Sequence, residues 1–502
     1  MSPTSKPRAR AVMVLGTTSN AGKSFLSTAL CRFYANQGLK VAPFKAQNMS
    51  NNARVVPTLD GRMGEIGSAQ YFQALAARCA PDVRMNPVLL KPEADTRAQC
   101  IVWGEVDSAL TAMPWRERSE RLWPHAQAAL HALMSENDVV VIEGAGSPAE
   151  INLHANDYVN MRTALEAQAQ CLLVSDIDRG GAFAHLYGTH QLLPAAERAL
   201  IRGFVLNRFR GDAALLAPGP QQLQALTGVP TLGVLPLWRG HGLPEEDGVF
   251  DDTPSGGGPA PAQRRIAIVA YPRLSNLDEF QPLRALSGVR LVWARSAAAL
   301  QGADLIILPG SKAVAADLAW LRAQGLDAAI NAHAAAGKPV LGICGGLQML
   351  GEALVDPHGL DGNAPGLGLL PLVTQYENDK LLRPAALQFS PTLQGPWAAL
   401  QGLQVQGYEI HHGRTAPHPS LAAPEVVLRD AHGQPNGWQC GPVLGLYAHG
   451  LFEQASLLQA LLDSWGLPEP AQLGLEPVFQ GLADFVQTHL GHATLMQLLD
   501  AH

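Results

Sequence analysis

The run Gly16-Thr17-Thr18-Ser19-Asn20-Ala21-Gly22-Lys23-Ser24 constrains this chain more than any other stretch. It follows an apolar segment of strand character, Ala11 to Leu15, and opens into Phe25 to Gln37, where apolar residues recur at helical spacing. A glycine-rich loop between strand and helix turns several backbone N–H groups toward one point at the positive end of a helix dipole, and so cradles phosphate. Gly16, Asn20 and Gly22 shape the loop, Lys23 is placed to reach terminal phosphates, and the Ser24 hydroxyl is placed to hold Mg²⁺. Five residues separate the two glycines, one more than the common pattern has. The expectation is an ATP site in an α/β domain.

Ligands of doubly wound sheets gather beyond the carboxyl ends of the strands, so the residues that follow each apolar run carry the next clues. Lys40 to Phe44 reads as a second strand, after which come Lys45, Gln47, Asn48 and Asn51; Lys45 is a candidate second positive charge for nucleotide or substrate, against the alternative of a solvated surface lysine. Asp60 and Glu65 offer carboxylates near a turn. Asp138 to Gly146 is a buried parallel strand ending in an acid and glycines, which makes Glu143 the candidate partner of Ser24 at the metal. Cys171 to Ser175 repeats the pattern with Asp176, Asp178 and Arg179 behind it, and Gly203 to Leu206 leads to Asn207, assigned to the nucleotide side, then Arg208 and Arg210. Strands alternating with helices imply a parallel sheet with every strand end on one side.

Thr253 to Ala262 is too rich in glycine and proline to build a core and reads as part of a linker. The expected layout is therefore a first domain over 1–250, a linker over 251–264, a second domain over 265–456 and a helical extension over 457–502 without chemistry of its own. Strands are expected at Arg265 to Ala270, Ala303 to Leu308 and Pro339 to Ile343, the last ending at Cys344. Glycines on both sides, in Gly342-Ile343-Cys344-Gly345-Gly346, permit the strained turn of a nucleophile elbow, and a helix N-terminus behind it would favour the thiolate. The other five cysteines read as inert. His449 follows a short apolar strand and is the preferred base for Cys344, with His411 and His412 as rivals. Backbone N–H groups of Gly345 and of the residues around Gly310 are the expected oxyanion donors.

Bulk properties exclude several classes. A net charge of −7 without a dense basic block argues against general nucleic-acid binding. No apolar stretch has the length of a membrane span. Six scattered cysteines without a Cys-x-x-Cys pair suggest neither a disulfide framework nor a zinc site, and fit the cytoplasm best. The oligomeric state has no signature in the sequence.

The second half resembles a class I glutamine amidotransferase, and the first half resembles the dethiobiotin-synthetase-type ligases with a phosphate loop. Pro43-Phe-Lys-Ala-Gln-Asn-Met-Ser50, Glu143-Gly-Ala-Gly-Ser147, Asp176-Ile-Asp-Arg-Gly-Gly181, Gly407-Tyr-Glu-Ile-His411 and Tyr447-Ala-His-Gly-Leu-Phe-Glu453, in this order, are similar to the cobyric acid synthase family over nearly the whole chain. That resemblance implies two doubly wound parallel-sheet domains, with ATP, Mg²⁺, glutamine and a corrinoid polycarboxylate as cofactors and substrates. It implies amidation of the b, d, e and g carboxylates of (adenosyl)cobyrinic acid a,c-diamide, with Cys344 as nucleophile and His449 as its partner. Many class I amidotransferases carry His-x-Glu, whereas Glu453 here lies four residues after His449. The alternatives are a synthetase acting on the a and c carboxylates or another of the same plan, a partitioning-type regulatory ATPase, and a scaffold with a vestigial amidotransferase domain. Intact Cys344 and His449 oppose the scaffold; Thr17 and Thr18, where a signature lysine is usual, oppose the regulatory ATPase, as does a Leu475 to His489 stretch without lysine or arginine.

Overall fold

Val-, Ile- and Leu-rich segments form strands that stay continuously buried only when both faces of the sheet are covered. In the computed structural model, which describes residues 9–94, 97–244, 263–468 and 474–500, six such strands build the first sheet. They are β1 (Arg10–Gly16), β2 (Val41–Phe44), β3 (Val139–Glu143), β4 (Gln170–Asp176), β5 (Ile201–Phe209) and β6 (Thr231–Pro236). Their order is β6-β5-β4-β1-β3-β2, with every neighbouring pair parallel. Helix α1 (Lys23–Asn36) springs from the glycine loop, and α2 (Ser68–Ala76) packs beside it. Register pairs Gly16 with Val174, Val14 with Glu143 and Asp176 with Asn207, so the loop and the polar strand ends share one edge. Asn207 was expected just past its strand and instead lies inside it, because β5 continues to Phe209.

The second sheet begins with β7 (Arg264–Val269), one residue inside the expected linker; residues 251–262 of that linker lie outside the described residues. It continues with β8 (Val289–Ala294), β9 (Leu305–Leu308), β10 (Val340–Ile343), β11 (Leu372–Phe389), β12 (Gln404–Pro417), β13 (Glu425–Asp430), β14 (Pro435–Cys440) and β15 (Val443–Leu446). The stretch β8-β7-β9-β10-β15 is parallel, as the doubly wound reading requires. Beyond β15 the sheet turns antiparallel through β14, β13 and β11, with β12 paired to β11. Much of β11 and β12 alternates between buried and more exposed positions, the signature of strands with one wet face. The six-residue helix α3 (Gly345–Leu350) follows β10 directly.

The C-terminal helices join the two domains. Helix α4 (Ala455–Trp465) packs in the second core, but α5 (Glu476–Leu490) and α6 (His492–Gln497) return to the first domain and cover α1. Phe479, Leu482 and Val486 share a core with Leu26, Leu30 and Phe33, while buried Arg32 grips Glu476 with two hydrogen bonds of 2.7 and 2.6 Å. The Tyr34 hydroxyl donates to the Leu495 carbonyl at 2.8 Å. The tail thus clamps the helix that starts at Lys23. Leu482→Ala should lower the stability of the first domain by about 3 kcal/mol, the usual loss for an excised core leucine. Denaturant unfolding followed with and without nucleotide would test this, and an unmoved midpoint would remove the tail from that core.

Candidate functional site

At the glycine loop, backbone geometry explains the residue types. Asn20 and Gly22 take left-handed conformations, with φ of 59° and 105°. A Cβ on Gly22 would lie 2.0 Å from Asn207 Nδ2, which itself donates to the Ala21 carbonyl at 2.9 Å, so Asn207 clamps the loop from β5. Lys23 Nζ donates to the Thr18 and Gly146 carbonyls at 3.0 and 3.1 Å. Ser24 Oγ and Lys45 Nζ both donate to Glu143 Oε1 at 2.9 Å, and Gln73 Nε2 donates to Glu143 Oε2 at 2.5 Å. Burial pushes the Glu143 carboxyl up, but Lys45, Gln73 and Lys23 outweigh it and hold it below the ordinary carboxylate range. Glu143 is therefore ionised at neutral pH.

A hydroxyl and a carboxylate side by side form the hard oxygen pair that suits Mg²⁺. Among the described residues no three His, Cys, Asp or Glu side chains gather into a metal site, so phosphate oxygens and water would have to complete any coordination here. The other carboxylates named from the sequence lie elsewhere. Asp60 binds Thr58 and Arg62 at the surface, and Glu65 is buried between Lys91 and Lys380, which outweigh burial and bring its pKa down to about 2. Arg179 and Arg208 share Asp176, and Arg210 pairs with Asp178, so at these strand ends three arginines face two carboxylates.

The second site forms where β10 meets α3. Cys344 has φ 52° and ψ −106°, a strained conformation for a residue with a Cβ. The strain is enforced by close packing: a Cβ on Gly346 would lie 1.8 Å from the Leu308 carbonyl oxygen, and one on Gly342 2.7 Å from the Gly346 carbonyl carbon. Cys344 is nearly buried, with its Sγ 3.7 Å from the Ile410 carbonyl of β12. His449 lies within hydrogen-bonding reach of the thiol. Its Nδ1 meets Glu279 Oε1 at 3.0 Å, leaving Nε2 for the sulfur, and the Gly450 N–H donates to Glu279 Oε2 at 3.1 Å. Burial alone would lower the His449 pKa; the Glu279 carboxylate and the Cys344 sulfur overcome it and bring it up to about 10.

Glu279 escaped the sequence reading. It sits 170 residues before His449 in a short turn, Leu277–Phe280, and its only mark in sequence is an acidic pair, Asp278-Glu279, beside a buried aromatic. Glu453, the acid nearest to His449 along the chain, points instead to Arg54 at 2.5 Å. His411 is occupied otherwise: its ring contacts the Gly413 carbonyl at 2.8 Å and Glu409 at 3.1 Å and stacks on Tyr447. His412 Nδ1 meets the Glu377 carbonyl. A Cβ on Gly310 would lie 2.9 Å from His449 Cε1, and one on Gly345, the residue after Cys344, 2.8 Å from the Ser311 amide nitrogen. The two sites lie in different domains, and no helix among the described residues is long and apolar enough to cross a membrane.

Residues 12–239 match the CobQ/CobB/MinD/ParA nucleotide binding domain, and residues 265–457 match the CobB/CobQ-like glutamine amidotransferase domain. The chain is 70% identical over 499 residues to a cobyric acid synthase from Methylibium petroleiphilum, covering 98% of this chain and 97% of the relative. It is 68% identical over 515 residues to one from Leptothrix cholodnii, covering 99% of each, and 65% identical over 495 residues to one from Variovorax paradoxus, covering 98% and 99%.

Proposed function

The chain belongs to the cobyric acid synthase family, whose ATP- and glutamine-dependent amidation serves cobalamin biosynthesis, and from that premise we propose how its two sites divide the work. The substrate is (adenosyl)cobyrinic acid a,c-diamide, amidated at its b, d, e and g carboxylates, in the cytoplasm. The observation that carries this reading is the pairing of two sites in one chain: a thiol–imidazole–carboxylate line of Cys344, His449 and Glu279, and a phosphate loop whose Ser24 and Lys45 converge on Glu143.

In the second domain, the Cys344 sulfur attacks the side-chain amide carbon of glutamine, and the oxyanion meets the N–H groups of Gly345 and Ser311. Collapse of the tetrahedral adduct breaks the C–N bond, with the proton on His449 passing to the departing ammonia. The neutral imidazole then takes a proton from the water that opens the thioester, which frees glutamate and restores the thiol pair. Glu279 keeps Nε2 aimed at the sulfur and stabilises the imidazolium. In the first domain a corrinoid carboxylate takes the terminal phosphoryl group of ATP, and ammonia displaces phosphate from the acyl phosphate. Lys23 and Lys45 spread the developing negative charge. Ser24 and Glu143 would hold Mg²⁺, whose charge adds to that neutralisation.

Incubating the protein with ATP, Mg²⁺, glutamine and the diamide acid tests the reading. Amide, ADP and glutamate should appear in equal amounts, and ATP use without amide formation would contradict it. Amidation at the a and c positions of the unamidated corrinoid acid would favour the sister synthetase. Glu279→Gln removes the charge that raises the His449 pKa and keeps one acceptor oxygen for the His449 Nδ1–H, while the bond from the Gly450 N–H is lost. The imidazolium should therefore lose its proton at lower pH, moving the alkaline limb of glutamine hydrolysis downward and cutting turnover by about 10- to 100-fold. An unshifted limb would show that Glu279 does not tune His449.

A further inference from the structure

Arg54, in the strand Ala53–Pro57 of the first domain, is 2% exposed, yet both its charge partners belong to the second domain. Its Nε donates to Asp278 Oδ2 at 2.9 Å, and its Nη2 binds both that oxygen and Glu453 Oε1. The guanidinium carbon lies 5.0 Å from the centre of the Tyr408 ring, which stacks on His449 at 5.5 Å with 24° between the planes. Tyr408 and His449 also exchange backbone hydrogen bonds of 3.2 and 2.9 Å. Asp278 immediately precedes Glu279, and Glu453 closes the turn that follows His449 and Gly450.

Neighbouring contacts fix the same turn from the same side. The Leu277 N–H donates to Asn52 Oδ1 at 2.8 Å, and Asn276 Nδ2 donates to the Ala53 carbonyl and to the Tyr408 hydroxyl. Asn276 itself is left-handed, with φ 57°, a conformation that asparagine tolerates and that turns its side chain amide to these two acceptors. The guanidinium also lies over Phe72, 4.9 Å away, and Phe72 adjoins Gln73, which donates to Glu143 in the phosphate-loop site.

We propose that Arg54 is a positioning residue for glutamine hydrolysis, supplied across the domain boundary: it fixes the Leu277–Phe280 turn and the Tyr408 ring so that Glu279 and His449 meet in register. The proposal rests on the two-site reading above. It makes the thiol site dependent on the domain that uses ammonia, and it predicts a defect confined to the glutamine-fed reaction.

Arg54→Met alone would leave Asp278 buried without its partner, so the test pairs it with Arg54→Met/Asp278→Asn, which removes the fully buried pair and leaves only the partly exposed Glu453, and with Arg54→Lys, which keeps the positive charge. With glutamine, the double variant should lose turnover by about 10- to 100-fold, as small misplacements of a catalytic group do, with KM for glutamine within about twofold of the parent. With ammonium it should amidate within about twofold of the parent. Its alkaline limb should move to lower pH, Arg54→Lys should recover part of the loss, and adding Glu279→Gln should cost nothing further, because both changes act on one pair. Equal loss with both nitrogen sources, an unshifted limb, an additive Glu279→Gln effect or unchanged glutamine turnover would each overturn the proposal. A parent protein that hydrolysed no glutamine would instead overturn the two-site reading on which it stands.

Discussion

Lys23→Ala is expected to abolish corrinoid amidation whether glutamine or ammonium supplies the nitrogen, while glutamine hydrolysis at Cys344 survives. The ammonium group of Lys23 is held at the loop by the carbonyls of Thr18 and Gly146, where it would face the terminal phosphates of ATP. A carboxylate is a very poor electrophile, and both nitrogen routes wait for it to become an acyl phosphate. Removing one fixed charge aimed at a phosphoryl group in transfer lowers turnover by about 10²- to 10³-fold, before any loss of nucleotide affinity. ADP release and amide formation measured side by side with each nitrogen source would check this. Amide formation at the parent rate would take the phosphate loop out of the mechanism.

Features encoded locally were legible in the sequence. The loop announced itself because phosphate binding needs glycines, a lysine and a hydroxyl within a few residues, and Gly22 indeed sits where Asn207 leaves no room for a Cβ. Cys344 stood out because a thiol between glycines at a strand end implies a sharp turn, which the structure has at φ 52°. Strand-end acids such as Glu143 could be read for the same reason. Long-range partners could not. Glu279, in the turn after β7, reaches His449, which follows β15 of the same sheet, and no local pattern records that meeting. The sequence leaves the acid beside His449 open, since Glu453 departs from the His-x-Glu spacing, and tertiary structure gives Glu453 to Arg54. The antiparallel extension carrying Ile410 to the thiol, and the return of α5 to α1, likewise depend on which apolar faces meet rather than on any one segment.

The division of labour between domains gives the other large effect. Cys344→Ser replaces a thiol by an alcohol that ionises far less readily, in a site whose histidine is tuned to pair with sulfur. Glutamine-dependent amidation should fall by on the order of 10⁴-fold or more, as when other activated nucleophiles are removed. The hydroxyl is smaller than the thiol and leaves the Gly342, Gly345 and Gly346 packing untouched, so the elbow should keep its shape. Ammonia from solution enters after the step that Cys344 performs, and the carboxylate is activated in the other domain. The decisive measurement is therefore the rate of corrinoid amide formation by Cys344→Ser with glutamine and, separately, with an ammonium salt at raised pH. Near-parental amidation with ammonium and almost none with glutamine is the predicted result; normal turnover with glutamine, or loss of the ammonium reaction in a folded protein, would contradict the two-site account.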